Sequence, residues 1–152
     1  QSMGIPEITS KLLEAAEYAD RSATGASTAI VGSISEEGNL RVLNVGDSTC
    51  VVIRDGKIVA KSREISHYFD CPYQLSAESP DRPRDGTKLQ TKVQKGDIVV
   101  MGSDGIFDNL SEGILLRTIE EAPEATRAIA RRVVDRSRRV SMDEMAETPF
   151  AR

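Results

Sequence analysis

Residues 40–62, LRVLNVGDSTCVVIRDGKIVAKS, constrain the fold of this chain more than any other stretch. Three strand-forming runs, LRVLNVG (40–46), TCVVIR (49–54) and KIVAKS (57–62), are separated only by tight turns. Asp55-Gly56 between the second and third is the strongest short hairpin signal, because both positions of the favoured turn need a positive φ. The stretch reads as an antiparallel meander. In its first run Leu40, Val42, Leu43 and Val45 do not alternate cleanly with polar residues, which predicts burial on both faces.

The flanks supply more strands and three helical segments. Apolar residues Ile8, Leu12, Leu13, Ala16 and Tyr18 follow helical spacing after Pro6, with Thr9 or Ser10 as the cap, and a loop follows over 20–25. STAIVGSI (27–34) reads as a strand and SEEGN (35–39) as a turn. Residues 63–88 lose periodicity, hold three prolines and read as one long irregular segment, a kind that tends to be functional or partly disordered. LQTKV (89–93) and DIVVMG (97–102) are two further strands across Lys95-Gly96. From Asn109 the period turns helical: Asn109 offers a cap, Glu112 reaches back, and Leu110, Ile114, Leu115 and Ile119 repeat. A last helix after Pro123 puts Ala128, Ile129, Val133 and Val134 on one stripe. At 152 residues the chain is about one domain. Gln1-Ser2-Met3 reads as a tag remnant, leaving residues 4–152 as the domain itself.

Charge and composition exclude several functions. The net charge of −4, three Tyr, three Phe and no Trp offer neither the basic surface nor the stacking platform of a nucleic-acid binder. No apolar run is long enough for a membrane span. Cys50 and Cys71 lack the paired spacing of zinc sites or secreted disulfide scaffolds, which points to a reducing, intracellular compartment.

The chemistry is carried by aspartates at strand ends. Asp47 lies in VGDS between two strands, Asp104 in SDG after another, and Asp108 four residues on, where the chain becomes helical. Converged, three carboxylates without His or Cys form a hard oxygen set suited to Mg2+ or Mn2+. Taken singly, each is also ordinary turn chemistry, and Asp108 with Asn109 can serve as a helix cap.

Order and context add to this. GASTA (25–29), NVGDS (44–48) and GSDGIFDNL (102–110), each at a strand edge, resemble three signatures of the metal-dependent protein Ser/Thr phosphatases, protein phosphatase type 2C. HYFDCPYQLS (67–76) and TPFA (148–151) are similar to segments of its mitochondrial and plastid branch. The resemblance implies an α+β fold, a β-sandwich of antiparallel sheets flanked by helices (αββα), incomplete at both ends here. It implies a dinuclear Mg2+ or Mn2+ site whose bridging water attacks the phosphorus of a phosphoserine or phosphothreonine in a protein substrate. By motif Asp104 would be a direct metal ligand, and Asp47 and Asp108 would join it at a weaker third position. Ser103 and Gly105 would shape the turn, and Thr28 would support it.

The departures shape the expectation. The family's early aspartate-glycine motif and late aspartate pair are not in this sequence, so residues 4–152 read as a partial catalytic domain with weak metal binding and negligible turnover alone. The family's frequent arginine after glycine-aspartate-serine is Thr49 here. Open sheet edges make a dimer or strand exchange an expected partner mode. The alternative from another class is an inactive scaffold that keeps the fold and binds a partner or phosphopeptide. His67, the lone histidine, reads as packed or solvated rather than as a general acid, Cys71 as structural, and the six arginines between 127 and 139 as a solvated face.

Overall fold

The computed structural model describes residues 4–20, 24–122 and 125–151. They divide into two compact units, Gln1–Arg54 with Ile58–Met101, and Asp55–Lys57 with Gly102–Arg152.

The first unit is built on the meander. Helix α1 (Ile5–Asp20) precedes β1 (Ala29–Ile34), β2 (Asn39–Val45), β3 (Thr49–Arg54) and β4 (Lys57–Lys61). Short strands β5 (Ser66–Tyr68) and β6 (Cys71–Pro72) follow, then β7 (Thr87–Lys92) and β8 (Ile98–Gly102). Two three-stranded sheets form, in the orders β1-β2-β7 and β4-β3-β8. In the first, β2 pairs antiparallel with both neighbours, Leu43 lying opposite Val31 on β1 and Lys88 on β7. Although β7 and β8 are adjacent in sequence, they belong to different sheets, so the Lys95-Gly96 connection carries the chain across the sandwich.

The doubly apolar pattern of β2 is explained by what lies on each side. Leu40 and Val42 point into a core with Cys50 and Val52 of β3, flanked by Ile30, Ala60, Leu89, Val93 and Val99. One residue out of phase, Leu43 points to the other face and packs with Ile5 and Ile8 of α1, beside Leu12 and Val31. A side-chain period of two thus sends alternate residues of one strand into the sandwich and under the helix. The Asp55-Gly56 turn has φ of 49° and 71°, the left-handed pair its sequence predicts.

Two sequence expectations are corrected. Helix α1 starts at Ile5, so Pro6 sits in its first turn, where a missing N–H costs no hydrogen bond, and Thr9 and Ser10 lie inside the helix rather than capping it. Residues 63–88 are not wholly irregular: β5 and β6 pair within them, and Pro83–Asp85 forms a 3-10 turn. The expected loop over 20–25 falls partly outside the described residues, as does Pro123.

The second unit is helical: α2 (Asp104–Phe107), α3 (Glu112–Glu120) and α4 (Thr126–Ser141). Helix α4 packs on both α3 and α2. Among the described residues of this unit, Leu110, Leu115, Ile119 and Val133 are the buried apolar ones. The cap of α3 is Ser111 rather than Asn109, since α3 begins at Glu112, and the Asn109 Nδ2 donates to the Gly105 carbonyl at 3.0 Å.

Candidate functional site

Asp47 sits half-buried in the bend between β2 and β3. The bend is held from beneath by Asn44, fully buried, whose Nδ2 donates to the carbonyls of Gly46 (3.2 Å), Ser48 (2.6 Å) and Arg63 (3.1 Å). The two hydrogens of this amide are shared among three carbonyls at the point where the chain turns. Gly46 has φ of 108°, and a Cβ there would meet Thr28 Cγ2 at 2.5 Å and the Tyr73 carbonyl at 2.8 Å, so only glycine fits. Thr28 Oγ1 and Ser48 Oγ are hydrogen-bonded at 3.2 Å, which gives Thr28 the supporting place its motif implies.

The segment after β4 is sewn to this same bend. The Ile65 N–H donates to the Gly46 carbonyl at 2.9 Å, Thr49 Oγ1 donates to Glu64 Oε1 at 2.9 Å, and Ser27 and Leu75 exchange backbone hydrogen bonds. His67 is therefore not a loose loop residue. Its ring stacks on Tyr73 with centroids 4.2 Å apart, and its Nε2 lies 3.1 Å from both carboxylate oxygens of Asp81. Burial opposes ionisation of Asp81, but hydrogen bonds from the Gln74 N–H, His67 and Ser79 outweigh it and hold the carboxyl below its usual range. No local sequence pattern signals this pairing, since the partners are fourteen positions apart.

Asp104 and Asp108 lie in the other unit, at the two ends of the single-turn helix α2. Asp104 is exposed, and its Oδ1 accepts from the Gly105 N–H at 2.6 Å. Asp108 is half-buried; its N–H donates to the Asp104 carbonyl at 2.8 Å and its carbonyl accepts from the Phe150 N–H at 3.2 Å. That last bond ties the TPFA segment to the aspartate turn. From α4, the buried Ser137 donates its hydroxyl to the Gly105 carbonyl, so the turn is clamped on both sides.

No family model matches the chain. "Probable protein phosphatase 2C 26" of Arabidopsis thaliana is 37% identical over 131 residues, 84% of this chain and 43% of that protein. "Protein phosphatase PTC7 homolog fig" of Drosophila grimshawi is 34% identical over 141 residues, 84% of this chain and 46% of that protein. Among solved structures, the photosystem II phosphatase PBCP matches with a TM-score of 0.84 at 30% identity, over 95% of this chain and 58% of that one.

The chain belongs to the protein phosphatase 2C family. It spans less than half the length of these two curated relatives. The catalytic domain of the serine/threonine phosphatase PstP, solved with two manganese ions, shares the fold at a TM-score of 0.61 and 17% identity, over 91% of this chain and 79% of that one. The antiparallel sheets with flanking helices are thus the α+β architecture of this family.

As a donor set, the three aspartates fit a hard divalent cation in kind: all are carboxylates, and neither imidazole nor thiolate accompanies them in their turns. Among the described residues no group of three or more His, Cys, Asp or Glu is gathered to hold a metal.

Proposed function

We propose that this chain carries part of the metal-binding end of a protein serine/threonine phosphatase that hydrolyses phosphoserine and phosphothreonine with Mg2+ or Mn2+. The observation that carries the reading is the Asp104 turn. In a chain of this family, it is an exposed carboxylate on a one-turn helix clamped by Ser137 and Asn109 through the Gly105 carbonyl. Asp104 would hold the cation directly, with Asp108 and Asp47 at a weaker third position. When bound, the cation supplies a water acidic enough to attack phosphorus at neutral pH.

The residues described above orient rather than react. Asn44 and Gly46 present Asp47, and Ser137, Asn109 and Phe150 hold the α2 turn. Asp47, Asp104 and Asp108 are the metal-binding carboxylates that the motifs place on this chain, and three alone are expected to support negligible turnover. The inactive-scaffold alternative gains support from no contact described here. The relatives, a PTC7 homologue and a photosystem II phosphatase by name, support the mitochondrial or plastid branch. Among the described residues no helix is long and apolar enough to cross a membrane. Strands β1 and β7 form the edges of the first sheet, and pairing through them with another chain is part of the same proposal.

Calorimetric titration with Mn2+ tests the reading. Weak saturable binding by the wild type, lost in Asp104→Ala with an unchanged far-UV spectrum, is the expected result. Binding that survives Asp104→Ala removes this residue from the ligand set. Turnover of p-nitrophenyl phosphate by this chain, abolished in Asp104→Ala, would overturn the proposal that its ligands are too few.

A further inference from the structure

The sequence of helix α4 reads as an arginine-rich solvated face, but the structure sorts its arginines. Arg132, Arg136 and Arg139 recur at i, i+4 and i+7 and line one cleft of about 160 Å³ against α3 and its C-cap, which contribute Arg117, Thr118 and Glu121. Four guanidiniums face one carboxylate in a chain whose net charge is −4. Like charges four apart on a helix repel, so the arrangement is costly unless an anion enters it.

The ordinary explanations for these arginines run out at Arg136. Arg132 is paired with Glu121, Nη2 to Oε2 at 2.9 Å. Arg117 lies in the last turn of α3 and Arg139 in the last turn of α4, where a cation meets the negative end of the helix dipole. Arg139 also donates from Nε to the Asp135 carbonyl at 3.2 Å. Arg136 precedes the last turn and has no ion-pair partner among the described residues, yet it lies in the middle of the cleft's arginine row.

We propose that the α3–α4 cleft is a binding site for a phosphoryl group, either on a phosphorylated side chain or as free inorganic phosphate. Guanidinium forks match the oxygens of a phosphoryl group two at a time, and several converging on one cleft favour the dianion over a single carboxylate. The cleft is small and, among the described residues, no aromatic side chain lines it, so there is no platform for a nucleotide base. Thr118 is already committed, its Oγ1 donating to the Ile114 carbonyl at 2.7 Å, which leaves recognition to the arginines. Glu121 sets the selectivity: it repels weakly charged ligands and yields Arg132 only to a stronger anion. The site uses none of the aspartates assigned to metal binding, so it stands or falls separately from the phosphatase reading.

The test is a titration in EDTA, which removes metal-dependent capture of phosphate, using a phosphoserine peptide, its unphosphorylated glutamate counterpart and inorganic phosphate. Arginine Nε–H resonances and far-UV dichroism are followed together. The expected result is saturable phosphopeptide binding that Arg136→Ala weakens by about fivefold or more and Arg136→Glu abolishes. The exposed Arg127, outside the cleft, serves as control, and Arg127→Ala should leave binding unchanged. A preference for phosphopeptide over inorganic phosphate assigns the site to a modified side chain, and equal affinity assigns it to the free ion. No saturable binding by the folded wild type overturns the proposal, as do equal binding by folded Arg136→Glu and equal affinity for the glutamate peptide.

Discussion

Asn44 and Ser48 are joined across the bend that carries Asp47, the Asn44 Nδ2 donating to the Ser48 carbonyl at 2.6 Å. The same amide reaches Gly46 and Arg63, so one buried side chain ties β2, the bend and the segment after β4 together. Its Oδ1 has no partner among the described residues, an unpaired acceptor tolerated because the amide hydrogens satisfy backbone that would otherwise be stranded.

Replacing Asn44 by alanine removes these bonds and strands the Ser48 carbonyl. The expected loss is about 2–4 kcal/mol of folding stability, read from urea denaturation. A change within about 0.5 kcal/mol, the size of an ordinary surface substitution, would mean that the bend is held by its other contacts.

Gly46→Ala combines a left-handed φ of 108° with a contact of 2.5 Å to Thr28 Cγ2. It should cost about 1–3 kcal/mol. Thr28→Ser removes Cγ2, so the double variant should recover part of that loss in a double-mutant cycle. Strict additivity would place the strain in the backbone and the Tyr73 carbonyl alone.

Asp97 accepts from Arg54 Nε at 2.8 Å and Nη2 at 2.7 Å. This fork, opposed by burial and aided by the Gln94 N–H, lowers its carboxyl to about 2. A carboxyl depressed in the folded state contributes stability above its unfolded value, and that contribution drains away as pH falls through the folded one. Urea midpoints of wild type and Asp97→Asn should therefore differ near neutral pH and converge as pH drops from the ordinary carboxylate range toward 2. A constant gap across that window would refute the ion-pair account.

Ser137→Ala removes one of two side-chain donors to the Gly105 carbonyl, the other being Asn109. A loss of about 0.5–1.5 kcal/mol is expected for the single change, with more than additive loss when Asn109→Ala is combined with it, because the carbonyl then has neither side-chain donor. Mn2+ affinity should fall alongside if Asp104 is positioned by this clamp.

The local chemistry was readable in the one-dimensional chain. The strand runs of 40–62, the left-handed Asp55-Gly56 turn and the helical period after Asn109 are properties of neighbouring residues, and backbone sterics act over that range. The five motifs pointed to the family in the same way, since each is a short continuous stretch of sequence. Other features needed distance to be folded away. Nothing local tells that β7 and β8 part into different sheets, that Asp81 meets His67, that Ser137 clamps Gly105, or that three of six arginines gather against α3. Those pairings are decided by which apolar faces bury together. Polar partners many residues apart meet only after the core has brought their backbones into place.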